Sequence, residues 1–91
     1  MNNNELDNLR DEIQEIDTSL IELLSERMNI VEKVATYKIK NDLSVEDKDR
    51  EKRLKKFWQE KAKEKNLTES EILVFLETLL KISKNRQEKL I

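Results

Sequence analysis

The stretch from Leu6 to Lys40 contains neither glycine nor proline, and Leu6, Leu9, Ile13, Ile16, Leu20, Leu23, Ile30 and Val34 recur along it three and four residues apart, with one gap of seven. That spacing lays one apolar stripe along a helix and predicts a single amphipathic element. Such a helix is roughly 50 Å long, whereas a compact globule of about 100 residues has a radius of gyration near ~13 Å. The helix outreaches any core that one chain of 91 residues can build. Part of its stripe must be covered by another copy of the chain or by a partner, because left bare it would be a large exposed apolar patch.

The same count puts Arg27 between Leu23 and Ile30, and Lys38 one turn after Val34, so two cations interrupt a face that otherwise enters a core. Asn4 is placed to cap this helix, with Asp7 in its first turn. Asn41-Asp42 is placed to end it, since both residue types tolerate a left-handed backbone. After Leu43-Ser44-Val45-Glu46, with Ser44 or Asp47 as cap, a second helix is expected from about Asp47 to Lys65. Its narrow stripe is Leu54, Phe57, Trp58 and Ala62. Asn66 is its expected terminator, and Thr68-Glu69-Ser70-Glu71 has the pattern of a capping box opening a third helix. That helix carries Ile72, Leu73, Phe75, Leu76, Leu79, Leu80 and Ile82 and is the expected centre of the core; its stripe continues to Ser83 and Gln87. The fold class is all-α: three helices, long, short and long, with no strand.

Composition narrows the chemistry. The length suits one domain. Acids and bases are interleaved to a net charge of -2, with no basic stripe for nucleic acid. With no cysteine and no histidine, disulfides, thiol nucleophiles, the usual zinc sites and histidine acid-base catalysis are excluded. Neither a signal-peptide pattern nor the roughly 20 apolar residues of a membrane span is found, so no membrane is expected as a partner and the expected location is cytoplasmic.

Each inward polar residue has an ordinary explanation. A cation on an apolar seam can snorkel to water, and Ser83 can bond its own helical turn while Gln87 lies near a fraying end. Asp47, Arg50 and Glu51 can cap the second helix and form a surface ion pair worth about 0–1 kcal/mol. Together they ask for more. Arg27, Lys38, Ser83 and Gln87 share inward stripes of two helices, and Asp47, Arg50 or Glu51, Leu54 and Trp58 form a third. Buried cations without matching carboxylates are costly, so the missing anion is read as a ligand, a small dianion. Arg10 stands beside the seam, tens of ångströms along the helix from Lys38. It can join such a site only from a second subunit.

These residues resemble the all-α class of chorismate mutases over nearly the whole chain. The likeness runs through Leu9-Arg10, Ile13, Ile16-Asp17, Leu23-Leu24, Glu26-Arg27, Val34-Ala35 and Lys38. It continues with Val45, Asp47, Asp49-Arg50-Glu51, Ser83 and Gln87. The resemblance implies an intertwined homodimer with two sites, each completed by the other subunit's long helix, that rearranges chorismate to prephenate on the way to phenylalanine and tyrosine. It implies that Arg10 of the neighbouring chain and Arg27 hold the two carboxylates, and that Lys38 and Gln87 donate to the ether oxygen, Lys38 also lying near a carboxylate. Arg50 would support the carboxylate end, Asp47 and Glu51 orient the ring hydroxyl, and Ser83 line the carboxylate pocket. A Claisen rearrangement needs no nucleophile, metal, cofactor or net proton transfer. It needs confinement of the substrate and stabilisation of charge developing on the ether oxygen.

The chain lacks the glycine or proline often found between the first two helices of this family, which leaves the reach of Asp47 open. Residues 1–91 are expected to be one chorismate mutase domain, without a fused dehydratase, dehydrogenase or synthase. Two other readings stand beside it: isochorismate pyruvate lyase activity on the same scaffold, and a non-catalytic helical dimer that binds a partner protein.

Overall fold

A helix made without glycine has to stop somewhere, and this chain stops its first two helices with aspartate and asparagine. The computed structural model describes residues 4–90, and within them the chain forms α1 (Asn4–Lys40), α2 (Lys48–Glu64) and α3 (Glu69–Lys89), with no strand among the described residues. At the end of α1, Asp42 takes a left-handed backbone with φ 54°. The N–H of Leu43 donates to the Lys38 carbonyl at 2.8 Å and that of Asp42 to the Ile39 carbonyl at 3.3 Å, the paired bonds of a Schellman terminus. The end of α2 repeats the device. Asn66 has φ 59°, and the Leu67 N–H reaches back to the Ala62 carbonyl at 3.0 Å.

The helix starts follow the capping rules. Asp47, rather than Ser44, caps α2, its Oδ1 accepting the Arg50 N–H at 3.0 Å. The expected capping box opens α3: Thr68 Oγ1 accepts the Glu71 N–H at 3.1 Å and Glu71 Oε1 accepts the Thr68 N–H at 2.9 Å. Hydrogen bonds from the Thr68 side chain and then its backbone hold the Glu71 carboxyl below its ordinary value near 4.5. The expected cap of α1 at Asn4 is displaced, because Asn4 is already helical and the cap falls outside the described residues.

The chain divides into two compact units, Met1–Ile30 and Val31–Ile91. In the first, Leu6, Leu9, Ile13, Ile16, Leu20 and Leu23 are all exposed, by 44 to 61 %. Nothing in the described chain covers the stripe that the sequence marks for burial. Among the described residues of this unit, Met28 is buried.

The second unit holds the core: Val31 and Ala35 from α1, Ala62 from α2, and Leu76, Leu79 and Ser83 from α3. Leu76 is its largest fully buried side chain. Trp58 stacks on Phe75 with ring centroids 5.7 Å apart, joining α2 to α3. Arg86 pairs with Glu32 at 2.7 Å and joins α3 to α1. Three expectations are corrected here. Ile30 and Val34 are exposed, the buried positions of α1 being Met28, Val31 and Ala35. Phe57 is exposed on α2, and Phe75 and Ile82 are exposed on α3.

Candidate functional site

Lys38 is the α1 residue that the second unit builds upon. Three residues after buried Ala35, it is half-buried, and its Nζ donates to the Val45 carbonyl at 2.7 Å. Its own carbonyl accepts the Leu43 N–H. One residue thus anchors the connection between α1 and α2 by both its backbone and its side chain. A hollow of about 360 Å³ opens beside it, lined by Lys38, Leu43, Ser44, Glu46, Asp47, Lys48 and Asp49. That volume is at the lower end for small-molecule sites.

Asp47 faces this hollow while one of its oxygens caps α2. An ionised carboxylate has about four lone-pair directions, so capping leaves acceptor capacity. Arg50, exposed on the first turn of α2, supplies the N–H that Asp47 accepts. Glu51 borders a second hollow of about 310 Å³ between α2 and α3, whose apolar wall is Leu73, Leu76 and Leu80. Its Oε1 lies 2.8 Å from Lys84 Nζ.

On α3, Ser83 is buried and its Oγ donates to the Leu79 carbonyl at 2.8 Å, the ordinary behaviour of a helical serine. One turn on, Gln87 is half-buried, and its Oε1 is shielded from water with no hydrogen-bond partner. A buried acceptor left unpaired is uncommon and costly, so this amide is an unfinished polar position on the inward face. Arg10 and Arg27 both belong to the first unit, Arg10 exposed and Arg27 half-buried.

Lys38 and Asp47 are therefore brought to one hollow, and Glu51 to the neighbouring one. Two contacts carry no signal in the sequence, the Val45 carbonyl to Lys38 and Lys84 to Glu51. Val45 acts through a backbone carbonyl, which has no side-chain signature. Lys84 is one of 18 basic residues, on a helix position that apolar periodicity leaves unmarked. The hydrogen bond to Glu51 raises the Lys84 ammonium above its ordinary value near 10.5, against the opposing effect of burial and with added attraction from the charges of Glu51 and Glu46.

Residues 9–88 match the family model of chorismate mutase type II. The chain belongs to the type II chorismate mutases. All eight candidate positions, Arg10, Arg27, Lys38, Asp47, Arg50, Glu51, Ser83 and Gln87, fall inside the matched segment of this chorismate mutase chain. It is similar to the bifunctional chorismate mutase/prephenate dehydratase of Buchnera aphidicola subsp. Acyrthosiphon pisum (strain APS), with 36 % identity over 89 residues. That alignment takes in 98 % of this chain and 23 % of the relative, so the chain spans about a quarter of that protein's length. No solved structure matches it. No described helix is long and apolar enough to cross a membrane.

Proposed function

We propose that this chain catalyses the rearrangement of chorismate to prephenate, as a cytoplasmic homodimer in the pathway to phenylalanine and tyrosine. The observation that carries the reading is Lys38. Inside the family-matched segment, its ammonium is held by a backbone carbonyl at the wall of a hollow it shares with Asp47.

In the reaction the ether C–O bond breaks as a C–C bond forms within one molecule. No group is transferred to the protein, and electron density accumulates on the ether oxygen. Lys38, a compact charge, and Gln87, a neutral amide donor, stabilise that oxygen. Arg27 and the Arg10 of a second chain grip the two carboxylates with planar forks suited to them. Arg50 and Ser83 complete the carboxylate end, and Asp47 and Glu51 accept from the ring hydroxyl. Holding both carboxylates and the hydroxyl selects the compact chair-like geometry, the entropic part of the acceleration.

The second chain is called for by the exposed stripe Leu6 to Leu23. Burying such a stripe at about 25 cal/mol per Å² is a strong drive to association. In the intertwined arrangement the long helix of one chain would cover the other and deliver Arg10 to its site.

The test is incubation of the purified protein with chorismate, following its absorbance and identifying the product. Prephenate supports the reading. Salicylate and pyruvate formed from isochorismate, with no prephenate from chorismate, would assign the elimination instead. Turnover of neither would leave a non-catalytic helical protein.

A further inference from the structure

We infer that Lys84 is a positioning residue: from α3 its ammonium fixes the Glu51 carboxylate on α2 and tethers Glu46 of the α1–α2 connection, so that the hydroxyl acceptor is set before substrate arrives. The inference rests on the chorismate reading above for what Glu51 does. The contact itself stands on geometry.

Lys84 Nζ lies 2.8 Å from Glu51 Oε1 and 3.7 Å from Glu46 Oε1. The first is a full charge-assisted hydrogen bond, and the second is an ion pair at longer reach. The base of Lys84 is rigid, because it follows buried Ser83, whose hydroxyl is tied to the preceding turn. Its side chain is 37 % exposed and that of Glu51 31 %, so the pair is partly shielded and neither chain swings freely in water. The Glu51 backbone is equally fixed, its N–H donating to the Asp47 carbonyl at 3.0 Å in the first turn of α2. What remains free in Glu51 is the side-chain rotamer, and Lys84 decides it. Only Oε1 is engaged by Lys84. A carboxylate with one oxygen occupied can still accept at the other, so the pairing orients the group without using it up.

The loop is held in the same way from two sides. Lys38 grips the Val45 carbonyl and Lys84 attracts the next residue, Glu46. Two lysines on different helices thus clamp adjacent residues at the rim of the hollow that Lys38 and Asp47 line. An ion pair this exposed adds little to global stability, so its removal should leave a folded protein and act on the site alone.

The experiment compares wild type with Lys84→Met, Lys84→Arg, Glu51→Gln and the Lys84→Met/Glu51→Gln double variant, in chorismate kinetics and in backbone hydrogen exchange over residues 43–51. Hydroxyl orientation is used in ground and transition states alike, so Lys84→Met should raise KM about 5-fold with kcat within about twofold. Lys84→Arg should restore KM to within about twofold. In the Glu51→Gln background the Lys84→Met step should change KM by less than about twofold, the non-additivity of residues that act together. Exchange over 43–51 should quicken in Lys84→Met and recover in Lys84→Arg. Equal KM effects in the two backgrounds, or an unchanged KM in Lys84→Met, would overturn the positioning role. Unchanged exchange would overturn the tether. If wild type consumes no chorismate, the functional reading fails by itself, and exchange alone decides whether Lys84 holds the loop.

Discussion

Lys38 holds Val45 through a 2.7 Å hydrogen bond from its ammonium to a backbone carbonyl seven residues on. The bond places a positive charge at the hollow in advance and closes the α1–α2 connection around it. A lysine left to solvent would keep its side-chain freedom until substrate arrived, and ordering it then would cost binding energy.

Replacing Lys38 by alanine removes both functions. Turnover of chorismate should fall by about 10²–10³, the usual loss for one donor aimed at developing charge. Hydrogen exchange at residues 43–46 should rise in the same variant. A protein that only binds a helical partner would keep its association unchanged, which a sedimentation measurement reads directly.

Arg10 and Lys38 are expected to meet only across two chains. Arg10→Ala and Lys38→Ala proteins, each nearly inactive alone, should regain roughly a quarter of wild-type activity after mixing through partial unfolding. Half of the dimers would then be mixed, each with one whole site of two. Verified mixed dimers with no recovery would place Arg10 outside the neighbouring site.

Gln87 carries an amide that does not titrate, so wild-type turnover should vary little between about pH 5 and 8. Gln87→Glu should invert that behaviour. Only the protonated carboxyl can donate, and the shielding around Gln87 Oε1 would raise the pKa of a carboxyl placed there. The variant should therefore gain activity steadily as pH falls. A flat pH–rate profile for it would remove Gln87 from the ether-oxygen contact.

Thr68→Ala should lower stability to urea at pH 7 by about 1 kcal/mol, the typical loss for an N-cap. Part of the difference should vanish in acid. The carboxyl of Glu71 is held below its ordinary value near 4.5 in the folded chain. Its contribution is therefore present above about pH 4.5 and is lost as pH falls through the lower folded value. Urea midpoints of the two proteins between pH 7 and 3 check this.

The helix ends were the most legible part of the chain. Thr68 and Glu71, Asp47, Asn66 and the Asn41-Asp42 pair are local features, each satisfying backbone groups within a few residues, so spacing alone finds them. The inward face of α1 was less legible. Its second half carries two adjacent apolar rows, Ile30 with Val34 and Met28 with Val31 and Ala35, and periodicity cannot say which one is buried. The structure buries the second row. Ser83 was readable as an inward residue on α3 because it extends the line of Leu76 and Leu80. The Lys84 to Glu51 contact was not, since it joins residues 33 positions apart on two helices, and nothing local marks either end.

The first thirty residues have a consequence for how the protein behaves in dilute solution. A helix with nine large aliphatic side chains facing water between residues 4 and 30 gains little from tertiary packing, and isolated helices are marginal on propensity alone. In the proposed homodimer, folding of α1's first half and association would form a single equilibrium, governed by mass action. Below some protein concentration the helix should fray from its amino end, so that specific activity, melting temperature and far-ultraviolet ellipticity all fall together on dilution.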